Sequence, residues 1–406
     1  MSSSALSTPA YRRFLIGSTI TTHGLWILRL SLGWQAWLLT ESEFFVAAVA
    51  FAAYFPVAVL GPVFGAYADR WDRRRAAQVF NLLNIGVTAG LFGLSALGLM
   101  TPAALFLLAL SFGVFSGGYT PMRLALMANL VPSMQLASAV GLGAVSFNVA
   151  RVIGPVLGGY IIKFFGLAPA FALSTATFLG MAWVLWDLKL QPVARELERQ
   201  IGLARLMRDG LKYTLSHPAI RYYLVLVMIG ATFGRALFEL MAPYADEVFQ
   251  RGSDGMSLLI SAFGVGAVLG GLFVARNRSL AQLRKWTVVC TALTGLLIVV
   301  FGFTGNFWLA MLQLPVFGCV LTICGVGSQT LTQTVVEEKY RGRVMSLWSV
   351  VAFGGVALGS AALGGWAQSI GLTTATVYWG GVAAVLGLSA LLWLTRIPQP
   401  KVAAAS

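Results

Sequence analysis

Charge is what this sequence has least of. Only 10% of its 406 residues are Asp, Glu, Lys or Arg, against about 25% in a soluble globular domain. That scarcity excludes a water-soluble fold. The chain has two histidines and 14 acidic residues. No metal-ligand cluster, paired carboxylates or nucleophile–base arrangement emerges from them, so neither an enzyme nor a metal site is expected. No Walker-type phosphate loop is present, which excludes ATP as an energy source, and no cofactor is expected. The three cysteines, Cys290, Cys319 and Cys324, fall inside apolar runs without CxxC spacing. They read as small packing residues, not as a disulfide or a metal site. No cleavable leader is visible either. A short polar start is followed by Arg12-Arg13 and then a full-length apolar run, which itself serves as the insertion signal.

What the chain has in abundance is hydrocarbon, 58% of its residues being hydrophobic. Apolar runs of 18 residues or more recur along the whole length, and each is long enough to span a bilayer as a helix. Their boundaries predict twelve spans: 14–39, 44–68, 76–99, 103–130, 139–162, 168–188, 222–244, 256–275, 286–303, 307–335, 344–370 and 374–395. The expected fold is an all-α polytopic membrane protein of twelve transmembrane helices in two pseudo-symmetric six-helix halves. The division expected is residues 1–188, a linker at 189–221, and residues 222–406. The linker is rich in Arg and Glu with Leu197, Ile201, Leu206 and Leu211 at helical spacing. It reads either as an amphipathic helix on the inner membrane surface or as a solvated connector. The halves repeat weakly. Gly154-Pro155-Val156-Leu157-Gly158-Gly159 answers to the small-residue run 359–365, Leu60-Gly61-Pro62 to Leu269-Gly270-Gly271, and Arg29 to Arg235 at an offset of 206.

The net charge of +14 raises nucleic acid as a partner until the charges are placed. Of 28 basic residues, 22 fall in the segments around 12–13, 70–75, 189–221, 276–285, 339–343 and 396–401. Those segments all lie on one side of a twelve-span topology. This is the bias that keeps Lys/Arg-rich loops in the cytoplasm, and it puts both termini there. The basic residues form no nucleic-acid stripe.

The stretch Gly61 to Arg75, GPVFGAYADRWDRRR, marks one membrane boundary. Its pattern G-x-x-A-D-R-x-x-R-R resembles the loop between helices 2 and 3 of the major facilitator superfamily of transporters, except that Asp72 stands where that family usually has Gly. Helix 5 carries Gly141, Ala150, Gly154, Pro155 and Gly158. It resembles the G-x8-G-x3-G-P-x2-G pattern of the superfamily's proton-coupled exporters, with Ala150 in place of Gly. The segments PMRLALMANLVPSMQLASAVGL, NVARVIGPVLGG and KYRGRVMSLWSVVAFGG resemble its enterobactin-exporter and macrolide-efflux branch. The resemblance implies a transporter in a bacterial inner membrane, working by alternating access as a monomer, with its site near the midplane between the halves.

On this reading Asp69 sits near the start of helix 11, held by Arg70, Arg73 and Arg74 with help from Arg343. The contact stabilises the state closed on the inner side by roughly one or two kcal/mol. Gly141, Gly154, Pro155 and Gly158 form a close, kinked seam against a neighbouring helix.

Four arginines and one carboxylate lie within apolar runs: Arg29, Arg123, Arg151, Arg235 and Glu239. Charge at such depth is costly and usually faces a cavity or a partner. Arg123 is near enough to the inner end to snorkel. Arg235 and Glu239 stand four apart, which allows either a self-neutralising pair or a proton-coupling site at Glu239. Arg29, Arg151 and Arg235, with Trp26 on the stripe of Arg29, are the candidate substrate-binding residues. His23 lies about 120° around the helix from Arg29 and reads as a packed, hydrogen-bonded side chain. The function expected is proton-coupled export of a small amphipathic or anionic molecule. Organic-anion uptake or facilitated flux is the alternative within transport, and a non-transporting sensor or scaffold is the alternative outside it.

Overall fold

The structure is a computed structural model that describes residues 4–67, 71–188, 203–277 and 279–394. Thirteen helices and no strand are found among the described residues. They are α1 (Pro9–Thr40), α2 (Glu43–Tyr67), α3 (Arg73–Ala96), α4 (Pro102–Asn129), α5 (Leu136–Phe165), α6 (Leu167–Asp187) and α7 (Leu203–Ser216). There follow α8 (Pro218–Val248), α9 (Gly252–Arg276), α10 (Leu280–Gly302), α11 (Phe307–Val335), α12 (Glu338–Ile370) and α13 (Leu372–Trp393).

Eleven of these are long and apolar enough to cross a membrane. The twelfth, α1, has the length, at 32 residues. Its hydropathy is lowered by Arg29, His23 and a run of Ser and Thr. Those hydroxyls return to the helix's own backbone: Thr21 and Ser31 donate to the carbonyls of Gly17 and Ile27, four residues back, so none is left bare in an apolar setting. With α1, which packs on α2, α5 and α6, the bundle has the twelve long helices expected. Most begin and end within a few residues of the expected limits. The largest differences are at α10 and α12, which start at Leu280 and Glu338. Arg284, expected in a loop, is buried in the first turns of α10 and donates to the carbonyl of Leu394 at 3.0 Å, closing the end of α13.

The packing is the same in each set of six. Helix α1 lies on α5, α2 on α4, and α3 on α4 and α6. Likewise α8 lies on α12, α9 on α11, and α10 on α11 and α13. The two sets meet along α2 with α12 and α5 with α9. Glycines let neighbouring backbones approach, to different degrees at the two repeated positions. A Cβ on Gly61 would stand 3.9 Å from the Gly117 carbonyl on α4, and one on Gly270 would stand 2.5 Å from the Cys319 carbonyl on α11. Lipid supplies no hydrophobic drive for helices to associate, so such close approach is what holds them.

The apolar core is not uniform along the bundle. At the end remote from Arg12, Arg13 and Arg73, one cluster joins both sets of helices, from Ile27–Trp37 and Val46–Ala52 to Leu237–Phe249 and Leu363–Ala383. At the basic end the core is split. One cluster is built from α1, α3, α4, α5 and α6 around Tyr11, Phe14, Phe80 and Leu185, another from α8, α9, α10, α11 and α13 around Tyr222, Val288 and Leu331, and a small third joins Tyr213 and Ile220 to Val336 and Val344. The polar links between the sets follow the same division. At the remote end Trp37 Nε1 donates to Asp246 at 2.8 Å, Ser42 bonds Gln368 at 2.6 Å, and Lys163 pairs with Asp254 at 2.9 Å. The bundle is thus sealed at the remote end and divided at the basic end.

Helix α7 covers residues 203–216 of the linker, and α8 begins within it at Pro218. Tyr213 stacks on Tyr340 with ring centroids 4.1 Å apart, and its hydroxyl accepts from the backbone N–H of Glu337. Gly210 lies against Arg343. Leu211 and Leu215 are exposed on the side away from α12.

Candidate functional site

Midway along the bundle, where the single core divides, the structure gathers four half-buried charges. Arg29 comes from α1, Arg151 from α5, and Arg235 and Glu239 from α8. Trp26, only 7% exposed, is the shared surface. The Arg29 guanidinium lies 5.2 Å from its ring centre and that of Arg151 5.5 Å. Arg29 also lies 4.9 Å from the ring of Tyr54 on α2, and Arg151 lies 5.3 Å from that of Phe147. Aromatic faces offset part of the cost of desolvating a guanidinium without neutralising it. Arg151 keeps a buried Nε with no hydrogen-bond partner, and so does the Trp26 Nε1. Unsatisfied donors at this depth are expensive, which makes them candidates to be met by a ligand.

Glu239 accepts a hydrogen bond from the Tyr54 hydroxyl at 2.9 Å. It lies within electrostatic reach of Arg29 and, more weakly, Arg235. No ion pair joins Arg235 to Glu239. The four-residue spacing that suggests one assumes a regular α-helix, and α8 is not regular there. Residues Gly230–Arg235 form a π-turn, and the helix breaks at Leu240, whose backbone has φ −96° and ψ 19°. Between the two residues the turn tightens: the Glu239 N–H donates to the Ala236 carbonyl, three residues back, at 3.1 Å, and a turn of about three residues sets positions four apart on different faces. The stronger charge acting on Glu239 is that of Arg29 on α1.

Glu239 is half-buried, and it is not the carboxylate most withdrawn from the surface. Glu43, at the start of α2, is 8% exposed and lies against Glu247 at the sealed end.

Other expected residues lie elsewhere. Gly154 and Gly158 face α1, where an added Cβ would stand 2.7 Å from Trp26 Cβ and 3.0 Å from Leu30 Cδ2 respectively. Pro155 is buried beside them. Gly141 is apart from this seam, since a Cβ there would meet nothing within 4 Å. Gly159 faces Ser257 of α9 instead, so α5 is wedged between α1 and α9. Arg123 donates to Ser18 at 2.9 Å, away from the central group. His23 bonds the Thr19 carbonyl at 2.8 Å.

Asp69 and Arg70 lie outside the described residues. Arg73 donates to Asn129 at 2.9 Å, and Arg74 to the carbonyls of Trp186 and Leu188. These bonds tie α3 to the ends of α4 and α6. Arg343 lies 5.4 Å from the ring of Tyr340 and against α7.

Tyr54, Phe147 and Phe353 belong to the central group and carried no signal in the sequence. Each is one aromatic among many in an apolar run. Tyr54 is set apart only by a hydroxyl, whose need for a partner becomes visible once it is buried.

Known proteins agree with this architecture. The profile of the family described as "Transmembrane secretion effector" matches residues 2–406. Enterobactin exporter EntS of Citrobacter koseri is 26% identical over 410 residues, covering 97% of this chain and 94% of that protein. The EntS of Shigella flexneri is 25% identical over 369 residues, covering 88% and 85%. Among solved structures, a bacterial homolog of the human lysosomal transporter Spinster, inward-facing and unoccupied, superposes with a TM-score of 0.74. It is 15% identical and covers 97% of this chain and 99% of that one. A POT family transporter in complex with 5-aminolevulinic acid superposes with a TM-score of 0.75, at 14% identity and 96% coverage of both chains. At such identity the two structures speak for the fold alone, whereas the family profile spans the chain. The protein belongs to the transmembrane secretion effector family of major facilitator superfamily transporters.

Proposed function

We propose that the protein works by alternating access and exports a small amphipathic or anionic molecule from the cytoplasm in exchange for protons. Residues 1–188 and 222–406 are the rocking halves, and 189–221 is the cytoplasmic linker. The observation that carries this reading is the central group itself. Three guanidiniums and one carboxylate surround Trp26 and Tyr54 where the two cores part. That leaves an excess of positive charge and unsatisfied donors for an anionic or hydrogen-bonding guest. The bias of basic residues supports a cytoplasmic basic end and cytoplasmic termini in a bacterial inner membrane. The divided basic end is then the entrance from the cytoplasm. Glu239 is the group that takes and returns the proton, because intramembrane proton relays use Asp, Glu or His. The protein acts as a monomer.

The test is a vesicle assay with the purified protein and a trapped pH dye, with enterobactin as the first probe and a panel of organic anions after it. Substrate-induced proton movement supports coupled export. Flux of an anion with no proton movement favours the second reading, facilitated organic-anion transport, for which the excess of guanidinium over carboxylate speaks. No flux of any probe points to a sensor or scaffold.

A further inference from the structure

Glu239 is met from across the bundle by Tyr54. Its hydroxyl reaches across from α2 to donate to Glu239 Oε1 on α8 at 2.9 Å. Its ring is fixed on both sides. The Arg29 guanidinium lies 4.9 Å from the ring centre, and the ring of Phe353 on α12 stacks 6.4 Å away at 23°. Tyr54 is 4% exposed. It therefore places two favourable influences on Glu239 together, its own O–H and the charge of Arg29, both carried by the first six helices. The charged or titratable groups around Glu239 are Arg29 on α1, Tyr54 on α2, and Arg235 on its own helix. Arg151 on α5 lies within reach of Tyr54, Arg29 and Arg235. From α12 the neighbour is the apolar ring of Phe353.

The place of this contact along the bundle matters. Contacts of α2 on α12 run from Ser42–Gln368 through Phe44–Gly365 and Tyr54–Phe353 to Ala58–Gly354. Those of α5 on α9 run from Lys163–Asp254 to Arg151–Gly264. Tyr54–Glu239 falls within this closed stretch. A rocking motion that opens the sealed end separates α2 from α8 and breaks it.

We infer that Tyr54 is a positioning residue for proton exchange at Glu239. Its hydroxyl holds the carboxylate ionised while the remote end is sealed and withdraws when that end opens. This inference rests on the proposed function, in which Glu239 carries the proton. The step balances. With the remote end open, Glu239 has lost the Tyr54 donor and the Arg29 charge, and its Oε takes one proton from the outer solution. On resealing, the Tyr54 O–H and Arg29 return, and that proton leaves to the cytoplasmic side through the divided basic end. Tyr54 keeps its own proton throughout.

The test is an infrared titration of carboxyl groups in the full-length protein in liposomes, with Glu239→Gln identifying the band of Glu239. A hydrogen bond to a charged group is worth enough to move a titration by about one to two pH units. Tyr54→Phe is therefore expected to raise the midpoint of the Glu239 band by at least about one unit, and to shift the pH profile of proton-driven transport in the same direction. Tyr54→Leu, which also lacks the hydroxyl, reads the same way if the Phe variant does not extract as a monodisperse protein. An unchanged midpoint overturns the inference. So does the absence of a Glu239 band at every pH in both proteins, since a carboxyl that never takes a proton cannot exchange one. The titration needs no substrate. A band that shifts in Tyr54→Phe while the unsubstituted protein moves no protons would refute the proposed function and leave control of Glu239 by Tyr54 standing.

Discussion

Arg151 and Glu239 occupy one site yet are held differently. Glu239 has a donor at 2.9 Å, whereas Arg151 has two aromatic faces and a bare Nε. An unsatisfied half-buried cation gains most from an anionic guest. Arg151→Gln is therefore expected to weaken binding of an anionic substrate about tenfold or more, the loss of one charge-assisted hydrogen bond. Equilibrium binding to the purified protein measures it, and an unchanged affinity would remove Arg151 from the site. Glu239→Gln should act in the opposite sense. It removes the one negative charge beside Arg29, so substrate binding is kept or tightened while transport loses its response to a pH gradient. Transport driven by an imposed gradient checks this, and full proton-driven transport in the variant would put coupling elsewhere.

The elements impose their own requirement, most visible in α5. This helix touches α1 through Gly154 and Gly158 and α9 through Gly159, and its interior Pro155 is accommodated by the packing around it. A Leu at Gly154 or Gly158 would meet Trp26 or Leu30, and overpacking of this kind costs about 1–3 kcal/mol. Both variants should lose most of their transport or leak protons, and a lowered thermal midpoint in detergent should accompany the defect. Gly141→Leu is the control. Its side chain would enter open space, so transport is expected to stay near that of the unsubstituted protein. Equal damage at all three positions would mean that the helix as a whole, not the seam, is sensitive. Helix α8 illustrates the opposite device. Its π-turn before Arg235 and its i→i+3 turn at Glu239 give up regular hydrogen bonding and thereby aim the two side chains differently, a use to which π-bulges are often put at functional sites.

Across the whole molecule, the sealed end is the feature that transport must undo. Ser42 and Gln368 join α2 to α12 there at 2.6 Å. With cysteines at both positions, a short bifunctional thiol reagent is expected to lock the bundle with its remote end closed and stop turnover. A reducible linker should restore transport on cleavage, and each single-cysteine variant should be unaffected. Continued transport after complete cross-linking would show that this end does not open. Cys290 and Cys324 are buried and Cys319 is half-buried, so the native thiols compete little for the reagent.

Much of this protein was legible in one dimension, because a bilayer acts on the chain locally. Each run of apolar residues must be long enough to cross, and each cluster of Arg must stop at a boundary. That logic places the spans, marks the basic end and singles out Arg29, Arg151, Arg235 and Glu239 as charges at unusual depth. It also finds the small residues of α5, although spacing alone could not separate Gly154 and Gly158, which pack, from Gly141, which does not. What the tertiary structure alone decided is partnership. Residues 26, 29, 54, 151 and 239 lie on four different helices, and only their packing turns them into one site. The pairing of Arg235 with Glu239 failed for the same reason, since it assumed a regular helix that α8 abandons to fit its neighbours. Tyr54 was invisible because nothing local distinguishes a phenol that reaches a half-buried carboxylate from one that faces lipid; the difference is the helix that stands opposite.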